Sequence, residues 1–70
     1  MTDAQEKRLQ ALLGQCRRRL VLAYRDNDGA LWAVSRPVGQ RNSKYDQRHR
    51  ISVRGSTEVY IESTDGAPPD

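Results

Sequence analysis

Apolar residues recur with a helical period near the start of the chain. Four of them follow the i, i+3, i+4, i+7 spacing of one helix face: Leu9, Leu12, Leu13 and Cys16. Thr2 and Gln5 match a capping box, which marks a helix N-terminus. The pattern predicts an amphipathic helix over about residues 3–16, whose end lies between Leu13 and Arg18 because Gly14 is one candidate stop.

Two apolar runs around an Asp-Asn-Asp-Gly segment predict a first hairpin, with strands over about residues 19–25 and 30–36. A three-residue loop with Gly29 in the left-handed conformation places Tyr24 opposite Trp32 and Leu22 opposite Val34. A two-residue loop would divide these large side chains between the two faces of the hairpin. We therefore favour the three-residue loop.

A second hairpin is predicted from strands over about residues 48–54 and 57–63. Requiring the apolar residues to share a face gives the pairs Val53 with Val59 and Ile51 with Ile61. The same register predicts three pairs on the other face: Arg54 with Glu58, Arg50 with Glu62, and Ser52 with Tyr60. His49 then points with Ile51, at the margin of the core.

These elements predict an α+β fold, in which the N-terminal helix packs on a four-stranded antiparallel meander within one domain over residues 1–63. Residues 37–47 form a long polar connection, and residues 64–70 have the composition of a disordered tail. We expect the helix to cover the face that carries Leu22, Tyr24, Trp32 and Val34. The second face of the first hairpin is also partly apolar, so either the sheet curls into a small SH3/Sm-like barrel or that face meets another chain.

The charge of the chain is concentrated in its middle. The net charge of the 70 residues is +3, but residues 17–54 alone carry +7 between a neutral start and an acidic end. Nine of the ten cations in this block are Arg, whose planar guanidinium suits bidentate contact with phosphate or carboxylate. The block therefore indicates an anionic partner.

Several classes of function lack the residues they need. A structural zinc site takes four Cys or His ligands, and this chain contains one Cys and one His. Cys16 and His49 lie on elements with no reason to converge, so nucleophilic catalysis is not expected, and no glycine-rich phosphate loop is present. We predict a non-enzymatic protein without metal or cofactor. No apolar run approaches the length of a membrane span and no signal-peptide pattern is seen, so we expect a cytoplasmic location and no membrane partner.

Residues 12–39 resemble the opening of WYL domains. In that family a short helix leads into an apolar strand that ends in Tyr, as at Tyr24, then an acidic glycine turn, as at Gly29, and a second strand that ends near a Pro, as at Pro37. The resemblance implies an Sm/SH3-like small barrel and a nucleic-acid or nucleotide ligand. The family's Trp-Tyr-Leu strand and later Arg-rich strand have no counterpart here, so no functional residue is carried over.

Two hypotheses for function follow. The first is a small basic module that binds single-stranded or structured RNA or DNA through an Arg-rich junction and loop. Its predicted contacts are Arg17, Arg18, Arg19, Arg41, Lys44, Tyr45 and Arg48. The alternative is a protein-interaction module, a small inhibitor or accessory subunit that docks on an acidic partner surface or forms a homodimer. Its predicted interface residues are Val21, Ala23, Leu31 and Ala33.

Overall fold

The chain is a helix followed by a four-stranded antiparallel sheet in the computed structural model, which describes residues 1–65. The elements are α1 (Asp3–Gln15), β1 (Arg18–Arg25), β2 (Leu31–Pro37), a single 3-10 turn (Ser43–Tyr45), β3 (Gln47–Arg54) and β4 (Glu58–Asp65). The strand order is β1-β2-β3-β4, which confirms the predicted α+β meander and leaves β1 and β4 as open edges rather than closing a barrel. Within residues 1–65, α1 is too short and too polar to cross a bilayer.

The start of α1 is fixed by the predicted capping box. The Gln5 backbone N–H donates to Thr2 Oγ1 at 3.1 Å, and the Thr2 backbone N–H donates to Gln5 Oε1 at 2.8 Å. Gln5 also uses its Nε2 to donate to the carbonyl oxygen of Gly55 at 3.0 Å. The cap therefore docks the helix on the turn between β3 and β4 while it satisfies the first amide groups of the helix.

The first hairpin has the predicted three-residue loop. Gly29 has a φ of 83°, and the Asp26 backbone N–H donates to the Ala30 carbonyl oxygen at 3.0 Å. Tyr24 is paired with Trp32, and Leu22 with Val34, as expected. Between Leu20 and Leu22 the register shifts by one residue, so Val21 occupies an irregularity in β1.

The second hairpin confirms most of the predicted pairs and corrects one. The confirmed pairs are Ile51 with Ile61, Ser52 with Tyr60, Val53 with Val59, and Arg54 with Glu58. The predicted pair of Arg50 with Glu62 is wrong, because the register shifts between Arg50 and Ile51 and Arg50 lies opposite Ser63. β4 also continues to Asp65, two residues into the predicted tail, and residues 66–70 of that tail lie outside the described residues.

The prediction of which face the helix covers is wrong. The helix packs on the face of the first hairpin opposite to the one that carries Tyr24 and Trp32. The core consists of Leu9 and Leu13 of α1 packed on the following sheet residues: Leu31, Ala33, Ile51 and Val59. Leu22 is 49% exposed, and Tyr24 and Trp32 are half-buried on the other face. The cause is the pairing of β2 with β3, which places Leu31 beside Ile51 and so joins both to the helix-covered face.

Candidate functional site

The antiparallel topology brings the two predicted basic segments together at one end of the sheet. β1 and β3 both begin there, β2 ends there, and residues 38–46 connect them. The Val38 backbone N–H donates to the Arg17 carbonyl oxygen at 2.9 Å, and Arg18 Nη2 donates to the Tyr45 carbonyl oxygen at 2.9 Å. We call this region the basic end, and its cations are Arg17, Arg18, Arg19, Arg36, Arg41, Lys44 and Arg48.

A nearly buried ion pair fixes the connection to the basic end. Arg36 Nε donates to Asp46 Oδ1 at 2.6 Å and Arg36 Nη2 donates to Asp46 Oδ2 at 2.9 Å, in bidentate geometry. The Arg36 hydrogen bond is the main reason that the pKa of Asp46 lies below its usual value, and the charges of Arg19 and Arg18 lower that pKa further. Asp46 had no role in the sequence-based hypothesis, yet it holds the loop against the sheet.

Arg18 is positioned by the fold rather than presented to a ligand. Its Nε donates to Ser35 Oγ at 2.7 Å, and its Nη2 donates to the carbonyl oxygens of Ser35 at 3.1 Å and Tyr45 at 2.9 Å. All of these acceptors are uncharged, so Arg18 ties β1 to β2 and to the loop without forming an ion pair. Among the predicted phosphate contacts, Arg18 therefore adds positive charge to the region, but its donors are already used by the fold.

A chain of polar contacts runs across the sheet from Arg18 through the buried Ser35 and His49 to Thr64. His49 Nε2 lies 2.6 Å from Ser35 Oγ, and His49 Nδ1 lies 2.9 Å from Thr64 Oγ1. Each ring nitrogen of His49 lies against a hydroxyl that can donate or accept, so a neutral His49 is satisfied in either tautomer. Burial is the main cause that lowers the pKa of His49, and the Arg18 charge adds to it.

A serine hydroxyl lies beside His49, although no nucleophile was expected to lie near this histidine. Ser35 does lie beside His49, but Ser35 is 0% exposed and His49 is 4% exposed. A nucleophile needs access to the reacting atom as well as an adjacent base, and this hydroxyl is covered. The Ser35 and His49 pair therefore supports the fold of the basic end. Sequence reasoning missed it because the two residues meet only through the pairing of β2 with β3.

Four cations of the basic end are exposed and unpaired within residues 1–65: Arg17, Arg19, Arg41 and Lys44. They come from three places in the chain: the junction after α1, the start of β1 and the connecting loop. Lys44 Nζ lies 5.0 Å from the centre of the Tyr45 ring, and Tyr45 is 43% exposed. The basic end therefore presents positive charge from several elements beside one accessible aromatic ring.

The uncovered face of the sheet carries a cluster of aromatic and arginine side chains. Arg48 Cζ lies 5.1 Å from the centre of the Trp32 ring, and Arg48 Nη2 pairs with Asp65 Oδ2 at 2.9 Å. The Asp65 hydrogen bond, followed by one to Tyr24, raises the pKa of Arg48. Trp32 Nε1 donates to Asp26 Oδ2 at 2.8 Å, which is the main cause that lowers the pKa of Asp26.

The residues of the alternative interface do not form one exposed surface. Leu31 and Ala33 lie beneath α1 at 9% and 0% exposure, while Val21 is half-buried at the irregularity in β1 and Ala23 is exposed. A partner could reach Leu31 and Ala33 only by displacing the helix. The apolar surface that is accessible on this hairpin is instead the side that carries Leu22.

The chain matched no protein-family model, no curated protein and no solved structure in the comparisons made with it. The resemblance of residues 12–39 to WYL domains therefore stays a prediction. Within residues 1–65, no group of three or more His, Cys, Asp or Glu side chains is placed to hold a metal ion.

Proposed function

We propose that this chain is a small nucleic-acid-binding module whose basic end contacts the phosphates of single-stranded or structured RNA or DNA. The observation that carries the proposal is the convergence of four exposed cations, none of which has a carboxylate partner within residues 1–65: Arg17, Arg19, Arg41 and Lys44. A polyanion gains entropy by releasing counterions where such charges cluster, and arginine forks match phosphate oxygens.

The support behind these cations favours a binding surface over a solvated loop. The Arg36 and Asp46 pair and the three hydrogen bonds of Arg18 hold the loop on the sheet. Charges on a fixed frame lose less conformational entropy on binding than charges on a free chain. Two carboxylates, Asp46 and Asp65, offset seven cations at this end of the described chain.

The charge and packing of α1 favour an unpaired or irregular nucleic acid as the ligand, rather than a specific duplex sequence. Duplex readers usually place a basic helix or ribbon in the major groove. Here α1 carries balanced charges from Asp3, Glu6, Lys7 and Arg8, and its apolar side is buried against the sheet. The positive charge instead lies at the end of a sheet, which suits a single nucleic-acid strand that bends around this end.

The test is a salt titration of binding to fluorescent single-stranded oligonucleotides. We expect the double variant Arg19→Gln with Arg41→Gln to bind more weakly and to flatten the slope of log K against log salt by about 1.4, or about 0.7 for each lost phosphate contact. The matched control is Lys7→Gln with Arg8→Gln, which removes the same charge from exposed positions of α1. The control should leave the slope unchanged.

Three results would overturn the proposal. One is no binding by the wild type in dilute buffer, and another is equal loss in both double variants, which would show only an effect of net charge. The third is a poly-glutamate peptide that binds as tightly as an oligonucleotide of equal charge, since this would favour an acidic protein partner.

A further inference from the structure

We infer that the uncovered face of the sheet is the base-binding part of this interface, and that unpaired bases stack on a cluster formed by Tyr24, Trp32 and Arg48. We call these three residues the stacking cluster. The inference rests on the proposed function and adds that the ligand is a single strand with accessible bases. The basic end would bind the backbone, and the sheet would bind the bases.

The stacking cluster is continuous with the basic end. Arg48 belongs to both regions, since it lies at the start of β3 and its guanidinium lies over the Trp32 ring. Arg36 is four residues from Trp32 along β2, which corresponds to about 13 Å of extended strand. Leu22, 49% exposed, lies between the two regions on the same face. A short single-stranded oligonucleotide bound at the basic end therefore reaches the stacking cluster directly.

The cluster is held in place before any ligand binds. Asp26 accepts from Trp32 Nε1 and from the backbone N–H groups of Asp28 and Ala30, each at 2.8 to 2.9 Å. Asp65 pairs with Arg48 at 2.9 Å. Both carboxylates are therefore engaged with this cluster, and the indole has no free N–H to offer. The outer surface of the cluster is formed by the Arg48 guanidinium, which lies over Trp32, and by the half-buried rings.

Guanidinium and aromatic planes recognise bases without reading their edges. Bases stack on aromatic rings and on arginine guanidinium groups, and every base has a π face, so the contact tolerates many sequences. The shifted register of β3 with β4 adds a cation here, because Arg50 lies beside Trp32 and is separated from Glu62. Arg50 is exposed and has no salt-bridge partner within residues 1–65. It gives this face a phosphate contact beyond the basic end.

The experiment compares an oligothymidylate with an abasic oligomer of the same length, which has the same phosphates and no bases. Trp32 is the one tryptophan of the sequence, so its emission reports on this face alone. We expect oligothymidylate to quench the Trp32 emission and to bind about 5- to 150-fold more tightly than the abasic oligomer for each stacked base. Trp32→Leu should reduce this ratio more than Tyr45→Leu, which removes the exposed ring of the loop at the basic end.

The outcomes separate this inference from the proposed function. Equal affinity for the two oligomers with unchanged emission would overturn the inference and leave a phosphate-binding module. The inference would also fail if a duplex of equal length bound more tightly than the single strand, or if Tyr45→Leu alone abolished the ratio. If neither oligomer bound, the proposed function itself would fail. The wild-type ratio and emission decide the question even where Trp32→Leu does not fold.

Discussion

The two faces of the sheet differ in the size of the side chains they present and in what covers them. The covered face offers Ala33, which is fully buried, and Leu9 and Leu13 of α1 fill the space above it. The uncovered face offers the larger side chains of Trp32 and Tyr24, which are half-buried without a helix above them. Arginine stems can cover apolar surface while the charged head stays in water, and here Arg48 lies over Trp32.

This difference teaches that the largest apolar residues of one hairpin need not mark the face on which a helix packs, because the second hairpin adds Ile51 and Val59 to the covered face. Helix packing needs close approach of backbones and close-packed contact. Val34 on the uncovered face is only 6% exposed although no helix lies above it. Its neighbours in the sheet, Leu22 and Arg48, flank it on the adjoining strands. A side chain can thus be buried by its own sheet while the face remains open to a ligand.

The largest expected effect comes from truncating a leucine beneath the helix. Leu9→Ala removes a side chain that is 0% exposed, and we expect it to lower the free energy of unfolding by about 2–5 kcal/mol. The matched change on the other face, Leu22→Ala, should cost at most about 1 kcal/mol because half of that side chain is already in water. Urea denaturation of both variants measures the difference. Equal losses would contradict the assignment of the two faces.

The hairpins were predictable because their registers depend on local chemistry. The Asp-Asn-Asp-Gly turn selects the loop, and alternating apolar residues then fix the partners of Tyr24 and Leu22. The pairing of β2 with β3 was not predictable in the same way, because residues 38–46 are long enough to allow several registers. That single register decides which face the helix covers, so the error in the face followed from it.

The charge of the candidate site was predictable, but the contacts that hold its side chains in place were not. The +7 block located the basic segments, and the antiparallel order of strands explains why they meet at one end. The roles of Asp46 and Ser35 depend on contacts made across 10 and 17 residues with Arg36 and Arg18. No local pattern marks such pairs. Trp32 was predicted to lie in the core beneath the helix, and it is instead half-buried on the uncovered face.

A second prediction concerns acid sensitivity on the covered side of the sheet, where His49 is buried and neutral. Because the pKa of His49 is lowered in the folded state, the unfolded chain binds more protons as the pH falls through its usual value of 6.5. The stability that depends on neutral His49 is therefore present above that pH and is lost below it. We expect the melting temperature to fall between pH 7 and pH 5, by less than the loss caused by Leu9→Ala.

The control for this titration is His49→Gln, whose amide can accept from Ser35 and donate to Thr64 without taking up a proton. The variant should show little change in melting temperature over the same range. Asp26 and Asp46 do not obscure this window, because their pKa values are lowered from 3.8 and therefore lie below it. An equally steep loss in the Gln variant would show that another group titrates.

The smallest expected effect separates stability from binding at Arg17, where α1 joins the sheet. Arg17 has a φ of 58°, a left-handed conformation that costs a residue with a side chain roughly 1–2 kcal/mol. Arg17→Gly relieves that strain, offset by about 0.5–1 kcal/mol of greater freedom in the unfolded chain. We expect it to stabilise the protein by up to about 1 kcal/mol in urea denaturation while it weakens oligonucleotide binding. Glycine commonly occupies this position after a helix, so an arginine here lowers stability while it adds a cation to the basic end.

Gln15→Gly, on the exposed last residue of α1, is the contrasting change, since it should lower stability and leave binding intact. If Arg17→Gly stabilised the fold without weakening binding, Arg17 would have no contact with the ligand, and the phosphate-binding surface would be limited to Arg19, Arg41 and Lys44.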